Sequence, residues 1–530
     1  MRIWKKNLGW VNPQQLPALD NGQKSPVPAE KQPLSTNLEL NLKIVKEIMG
    51  NAQDLAIREF TLASDDEIKA AIIALGGLAD RNLVNTHVLN TLMLDIRFKE
   101  PQGREELFQR IKNYGISNFK VKEDHTIQAV VNEVISGDTI FLLDGVAKAL
   151  AVGSRGWEDR SVAEPITEGV VRGPRDGFTE TIRTNTALIR RRIKSPDLRI
   201  VGVKVGERTK TDVLLVYLEG VAKQEVVDEV KRRIQRIKID GVLESGYIEE
   251  LIEDNPLSPF PQIEHSERPD KVAAAILEGR VAIMVDTTPF VLMVPTVFFQ
   301  FIQASEDYYE RFYLGSLIRM IRMLAYLISV TLPAVYIALT SFHQEMIPTP
   351  LALSIAASRE GVPFPAIGEA LLMEATFEIL REAGIRLPRP IGQAVSIVGA
   401  LVIGQAAVEA GIVSQAMVII VALTGISSFA IPAFNAAIAG RILRFPLMIL
   451  ASILGIFGIL AGLSFILIHM SGLRSFGVNY LAPVSSTLKS DLKDVVVRSP
   501  WWTMFRRPGK IAGAAKKRMP KGRKPGPGND

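Results

Sequence analysis

The chain of 530 residues contains no cysteine, which excludes disulfides, thiolate catalysis and cysteine-ligated zinc together. Histidine is scarce as well. His87, His125, His265, His343 and His469 are scattered, with no pair at the i,i+4 spacing of a helical metal site. No Walker A, Gly-x-Ser-x-Gly or His-Glu-x-x-His signature occurs, so the expectation is a protein that is not an enzyme and takes no cofactor and no metal. The most informative shortage is of charge. Between Pro390 and Met470 only Glu409, Arg441 and Arg444 are charged, although charged residues make up 22% of the chain. That partition excludes a fully soluble enzyme and a disordered scaffold. The first residues, Met1-Arg-Ile-Trp-Lys-Lys6, lack the apolar stretch of a signal peptide, so the N-terminal half is expected to stay where it is made.

What is present divides into six stretches. Residues 1–36, rich in Pro, Gln and Asn, read as a flexible arm. Over 37–125 apolar residues recur mostly at helical spacing, as in Leu38, Leu42, Val45 and Met49, which predicts a helical subdomain. An α/β subdomain is expected over 126–255. Its signals are a hairpin turning at Asp144-Gly145, a strand pair around 206–210 and an amphipathic helix from Lys223 to Ile237. The prolines between Pro256 and Pro269 predict a hinge and membrane entry over 256–286. A membrane domain over 287–475 follows, with four spans near 323–341, 391–408, 412–434 and 446–470. The uncharged stretch 287–305, broken by Pro289 and Pro295, reads as interfacial or re-entrant. The fold class is therefore multi-domain, an α+β soluble half followed by an α-helical multi-pass bundle.

The last stretch, 476–530, is a basic tail. From Arg498 onward it holds ten Lys/Arg against one acid, and the positive-inside rule makes it cytoplasmic. Its expected partner is anionic membrane lipid and not nucleic acid. An even number of spans then places Arg441 and Arg444 in a short outside loop.

Two segments carry the charge patterns of interest. Around residues 172–192, Arg172-Gly-Pro-Arg-Asp-Gly177 resembles a phosphate loop but lacks its Gly-Lys ending, and Pro174 deletes an N–H. A turn whose arginines pair with Glu164, Glu168 and Glu180 is the favoured reading. Arg190, Arg191 and Arg192 splay around a helix, so a solvated or interface surface is expected. The second segment is a helix between Pro365 and Gly384. At about 100° per residue, Glu374, Glu378, Arg381 and Glu382 share one face, with Glu369 about 140° from Glu374 in the apolar sector. The face is either the wet side of a helix lying flat on the membrane or, in several copies, the wall of a cation path. Glu369, Glu374, Glu378, Glu382 and Glu409 are the pore or gating candidates. Gly458 and Gly462 form a Gly-x-x-x-Gly helix-packing pair.

A series of strings gives these segments a family context. They are Arg160-Ser-Val-Ala-Glu-Pro165 with Glu168, Arg172-Gly-Pro-Arg-Asp-Gly-Phe178-Thr-Glu180, Asn185, Leu188-Ile-Arg-Arg-Arg192 and Ser258-Pro-Phe-Pro-Gln262. Arg268-Pro-Asp270, Glu278-Gly-Arg-Val281, Pro333-Ala-Val-Tyr336, Glu360-Gly-Val-Pro-Phe-Pro365, Glu382-Ala-Gly384 and Gly404-Gln-Ala-Ala-Val408 complete the series. Taken jointly, from about residue 40 to 485, they resemble the A subunit of the GerA family of spore germinant receptors. The resemblance implies a multi-pass protein of the spore inner membrane that works with a membrane B subunit and a lipoprotein C subunit. It implies a nutrient-gated, ion-conducting homo-oligomer that triggers germination. The competing reading is a non-conducting membrane scaffold that assembles the partner subunits, with the arginine-rich segment 172–192 as its docking site. It also implies structural or coupling roles for Glu164, Pro165, Arg172, Gly173, Pro174, Gly177, Phe178, Asn185, Arg190, Arg191, Arg192, Pro259, Phe260 and Pro261.

Overall fold

The computed structural model describes residues 32–62, 65–95, 103–116, 120–156, 163–165, 167–386, 402, 404–484, 491–520, 522 and 526. The arm expected over 1–36 lies almost wholly outside these residues, as do most of the span expected at 391–408 and Arg160-Ser-Val162.

Residues 32–156 form a five-stranded antiparallel sheet: β1 (Leu55–Leu62), β2 (Asp65–Leu75), β3 (Val121–Asp124), β4 (Thr139–Leu143) and β5 (Ala149–Val152), ordered β1-β2-β4-β5-β3. Helix α1 (Leu38–Met49) covers one face together with α4 (Ile127–Ser136). Two short helices, α2 (Arg81–Val84) and α3 (Arg104–Arg110), cover the other. The central strands β2, β4 and β5 are therefore buried on both sides, while the edge strand β1 stays half-exposed. Ala71, Ile73 and Leu75 of β2 enter one core while Ala70 and Ile72 enter the other. This corrects the helical subdomain expected over 37–125. A strand covered on both faces loses its polar alternation, so its apolar run reads as helical. The hairpin at Asp144-Gly145 forms as expected but completes this first sheet, so the module boundary falls after residue 152 rather than at 125.

A second module repeats the first. Its strands β6 (Leu198–Val205), β7 (Thr211–Leu218), β8 (Glu264–Ser266), β9 (Val281–Val285) and β10 (Val291–Val294) are ordered β6-β7-β9-β10-β8, the same permutation. Helices α5 (Ile182–Arg192) and α8 (Pro269–Glu278) take the places of α1 and α4. On the far face lie α6 (Gln224–Arg236) and α7 (Ser245–Ile252). The likeness extends to hydrogen bonds. Asp144 accepts from the first N–H of α1 (Leu38) at 3.2 Å, and Asp286 accepts from the first N–H of α5 (Ile182) at 3.2 Å. Arg190, 1% exposed, joins the modules through a two-pronged ion pair to Asp54 at 2.8 and 3.0 Å.

Two boundary expectations change accordingly. The stretch 256–286 is not a loose hinge, because it supplies β8, α8 and β9. The stretch 287–305 is not a membrane element. It contains β10, paired on both sides, and a buried 3-10 turn, Phe298–Ile302. Its lack of charge reflects burial in a sheet, not in lipid.

The helical half begins with α9 (Glu306–Tyr309) and α10 (Phe312–Ser341), against which α14 (Gln415–Phe429) and α15 (Phe434–Leu454) pack. Around them stand α11 (Thr349–Arg359), α12 (Ala366–Arg386), a helical segment α13 over 404–409, and α16 (Ile456–Gly472). Helices α10 and α15 are long and apolar enough to cross a membrane. Helices α14 and α16, at 15 and 17 residues, fall short of the ~20 that a span needs. The span expected at 446–470 is in fact a helical hairpin broken at Gly455 (φ 62°). Gly458 and Gly462 face α15 of the same chain, where an added Cβ would meet the Leu450 carbonyl oxygen and the Leu447 side chain. Outward-facing Leu317, Ile321, Leu324, Ile426, Ile453, Phe465 and Ile468 leave the bundle an apolar exterior.

After α16 the chain returns to the second module. A small ribbon, β11 (Arg474–Ser475) and β12 (Val478–Asn479), places the Ser475 hydroxyl oxygen 3.0 Å from the Thr296 N–H and 2.8 Å from the Gln262 carbonyl. Tyr480 accepts from the Phe298 N–H at 2.9 Å. The chain thus leaves and rejoins the same module. The tail does not extend freely either: Gly513 and Ala515 donate to the carbonyls of Val221 and Gly220 at 2.7 and 3.1 Å.

Single cysteines introduced at Ser305 and Ser341, in a chain with no other thiol, test this arrangement. Ser305→Cys is expected to react with an impermeant maleimide only from the side of the soluble half, and Ser341→Cys only from the opposite side. Labelling of both from one side would show that α10 does not cross.

Candidate functional site

Helix α12 starts after Pro365 and carries the acids singled out above. The structure separates them. Glu374 is fully buried and ion-paired with Arg444 of α15, itself fully buried; Arg444 Nε also donates to the Ser329 carbonyl of α10 at 2.9 Å. Arg441 and Arg444 are therefore not in an outside loop. Both lie within α15, and their charge is accommodated because α12 supplies carboxylates at the same depth. Glu378 receives Arg381 at 3.2 Å and Arg441 at 2.9 Å. Arg381 continues to the Ser428 hydroxyl at 2.9 Å and lies between the rings of Phe377 and Phe429, 5.0 and 4.8 Å from their centroids. Three arginines thus meet two glutamates where α10, α12, α14 and α15 converge.

The remaining acids have other places. Glu369, fully buried, binds Arg359 of α11 at 3.1 Å and accepts from the Ser414 N–H at 2.9 Å, fixing the start of α14. Glu382 is exposed and pairs with Arg386 one turn on at 2.7 Å. Glu409 is exposed beside Gln405 at 2.9 Å. A single wet acidic face does not exist in one chain: Glu369 and Glu374 tie the bundle together, and Glu378 is half-buried among arginines.

Toward the soluble half this cluster opens into a cavity of about 460 Å³. Arg381, Arg441, Ser428 and Asn435 line its bundle side; Glu168, Glu264, His265 and Lys271 line the other. Lys271 Nζ sits 2.8 Å from Glu168 and 2.9 Å from Glu264. Burial opposes charge on Glu168, but Lys271 outweighs it and holds the carboxyl below its usual range. Burial likewise opposes protonation of Lys271 and His265. The two carboxylates raise the lysine, and Glu249, 3.7 Å from His265, raises the imidazole. One wall of the cavity is thus rich in carboxylate and the other in guanidinium. Sequence reading missed Glu264, His265 and Lys271. The available signal was a run of polar residues, Glu264-His-Ser-Glu-Arg268, beside strongly apolar strands.

The other singled-out residues are mostly fasteners. Arg175 lies 3.9 Å from Glu164, as expected, but Arg172 lies 3.9 Å from Glu310 and Glu168 belongs to Lys271. Arg268, 2% exposed, holds the loop by donating to the carbonyls of Glu168 and Pro174 at 3.1 and 2.9 Å. Gly173 packs on the Tyr309 ring, where an added Cβ would come within 2.8 Å. Pro165 and Gly177 are buried, and Phe178 enters the core under α5 and α8. Asn185, fully buried, exchanges hydrogen bonds with the Thr179 backbone at 2.8 and 2.6 Å. Arg192 pairs with Asp176, so of the arginine run only Arg191 is on the surface. Between Pro259 and Pro261, Phe260 inserts among Phe298, His469 and Tyr480 and joins the module to the end of α16.

Fold and site together define a duplicated α+β half closed onto an apolar helical bundle, two of whose helices are long and apolar enough to cross a membrane. Residues 43–510 match the family model described as Bacillus/Clostridium GerA spore germination protein. The chain is 46% identical over 494 residues to spore germination protein KA of Bacillus subtilis (strain 168), covering 93% of this chain and 90% of that one. It is 48% identical over 480 residues to the uncharacterized membrane protein YfkQ of the same strain, covering 91% and 92%. Spore germination protein GerLA of Bacillus cereus is 43% identical over 467 residues, covering 88% and 94%. The crystal structure of the N-terminal domain of the A subunit of the Bacillus megaterium spore germinant receptor GerK3 aligns with 51% of this chain and 98% of that one, at 36% identity and a TM-score of 0.40. The chain belongs to the GerA family of spore germination proteins.

Arg444→Leu is expected to destabilise the bundle by about 3–5 kcal/mol, because Glu374 is left buried without a partner. The double change Arg444→Leu, Glu374→Leu is expected to recover most of that loss, read by thermal unfolding in detergent. A pH effect is expected from Glu253, whose carboxyl burial lifts from 4.5 to about 7, with Glu249, Glu250 and Asp254 adding repulsion. The folded chain then holds this proton more tightly than the unfolded one. Its contribution is full below the unfolded value of about 4.5 and is lost as pH rises through about 7. Glu253→Gln should flatten that slope in melting temperature.

Proposed function

We propose that this chain is the A subunit of a nutrient-responsive germination receptor, and that several copies assemble into an ion-conducting pore in the spore inner membrane. Its role in spore germination follows from the family; conduction, oligomerisation and the subunit partners are the finer part of the proposal. The observation that carries it is the buried network of Glu374 and Glu378 with Arg381, Arg441 and Arg444. Such a network has discrete pairing states, and it opens directly into the cavity beneath the second soluble module. A nutrient signal arriving from a membrane B subunit or a lipoprotein C subunit would bias those pairings and shift a closed–open equilibrium. Glu378 and Glu382, with the solvent access that Glu369 and Glu374 lack, are the acids assigned to the water-filled side of the path. Return of the chain to its starting module favours an even number of crossings, with the soluble half and the basic tail together on the cytoplasmic side.

The alternative is a scaffold that assembles the other subunits and conducts nothing. Its earlier docking candidate, the arginine run, is weakened by the internal pairing of Arg190 and Arg192.

Membrane potential in cells producing the chain with its cognate partners tests the reading. Nutrient is expected to cause prompt depolarisation, and Glu378→Gln with Glu382→Gln to lower cation flux while the complex still co-purifies. Unchanged flux and selectivity would remove both acids from the path; no depolarisation by an assembled, nutrient-bound complex would favour the scaffold.

A further inference from the structure

A second cavity, of about 410 Å³, lies away from the acid–arginine cluster, between α8, α9 and the folded tail. Its charges do not balance. Asp270 is committed to Arg268 at 2.9 Å, and Lys271 to Glu168 and Glu264. Glu278 is then the carboxylate available to three arginines. Arg518 reaches it at 2.8 Å, while Arg280 Nη2 stands 3.6 Å away. Arg507 donates to the carbonyls of Leu277, Ala515 and Lys517, at 2.7, 2.8 and 2.6 Å, and has no carboxylate within ion-pair distance among the described residues. Two positive charges are left over in the cavity wall.

Arg280 is the telling member. It is 5% exposed, it lines the cavity, and its Nε and Nη1 have no hydrogen-bond partner. A buried guanidinium with two unmet donors is costly, and an anion with several acceptor oxygens removes that cost. Beside the arginines stand flat apolar surfaces. The Trp501 ring lies 5.8 Å from that of Tyr308 and 5.6 Å beneath the Arg518 guanidinium. Positive charge for an anionic group thus adjoins an aromatic wall for a carbon skeleton.

We infer that this cavity is a binding site for an organic phosphate, its phosphate group held by Arg280, Arg507 and Arg518 and its organic part lying on Trp501. A dianionic phosphate supplies the two missing charges and accepts from the free N–H groups of Arg280. Because Arg280 belongs to the second module and the other two arginines to the tail, the ligand would also fasten the tail to the module. The same chemistry has two sources. The cavity lies next to the start of α10, within reach of a lipid headgroup, and it also has room for a free nucleotide.

The full chain, reconstituted in phosphatidylcholine nanodiscs, is titrated with adenosine monophosphate by calorimetry and thermal shift. Saturable binding is expected. Arg280→Gln should weaken it by about tenfold or more, the worth of a charge-assisted hydrogen bond. Arg507→Gln should do the same, which guards against a folding defect in the first variant. Arg506→Gln, an exposed neighbour, should leave affinity unchanged. Loss of the nucleotide signal in phosphatidylglycerol nanodiscs, with Arg280-dependent stabilisation by that lipid, assigns the site to a headgroup. Equal nucleotide affinity in both lipids assigns it to a soluble phosphate. Absence of saturable binding by either source, or equal affinity in all three variants, overturns the proposal.

Discussion

Guanidinium groups removed from water are what this structure is organised around. Four of its largest fully buried side chains are Arg190, Arg268, Arg319 and Arg444, and each stands at a junction. Arg190 joins the two soluble modules through Asp54. Arg268 holds the loop before α5 against α8. Arg319 binds Asp307 at 3.1 Å and Asp494 at 2.8 Å, bringing together the start of α10, α9 and the tail. Arg444 holds α12 and α10 to α15. A buried pair adds little net stability against a well-packed apolar contact, but one broken partner leaves a charge in low dielectric. Such joints have few acceptable arrangements, so they fix how the parts sit against one another more firmly than apolar packing would.

Duplication explains why the two cavities described above lie on the second module. Both copies use the same strand order and the same aspartate at the start of their first helix. In the second copy the chain continues past β10 into the Phe298–Ile302 turn, α9 and α10. It also receives the returning ribbon and the tail. Its sheet edge and α8 therefore face structure that the first copy lacks, and both described cavities lie along that contact.

Legibility of these features in the sequence followed burial. Helix α6, the turn at Asp144-Gly145, the β6–β7 pair and α12 each have one wet face or a marked turn, and the expected elements formed there. Residues 70–75 of β2 and most of 287–305 are covered on both sides, and without polar alternation they resemble helix or membrane. Arg441 and Arg444 were misplaced for a related reason. Charge in an apolar run signals a loop unless a partner exists, and the partner Glu374 lies 70 residues earlier. Glu369, Glu374, Glu378 and Glu382 all lie on α12 and Glu409 on α13, but spacing along one helix carries no information about which of them meets an arginine from another.

The return of the chain to its starting module also has a temporal meaning. Tyr480 and Ser475 complete hydrogen bonds to Phe298 and Thr296, and Gly513 binds Val221. During synthesis from the N-terminus, the first module holds all its strands once Val152 has emerged and the second once Val294 has, but the second gains its ribbon and tail contacts only after α16. Those last contacts therefore depend on bundle assembly: a chain whose helices insert wrongly would deliver the ribbon and tail elsewhere, and the second module would lack them.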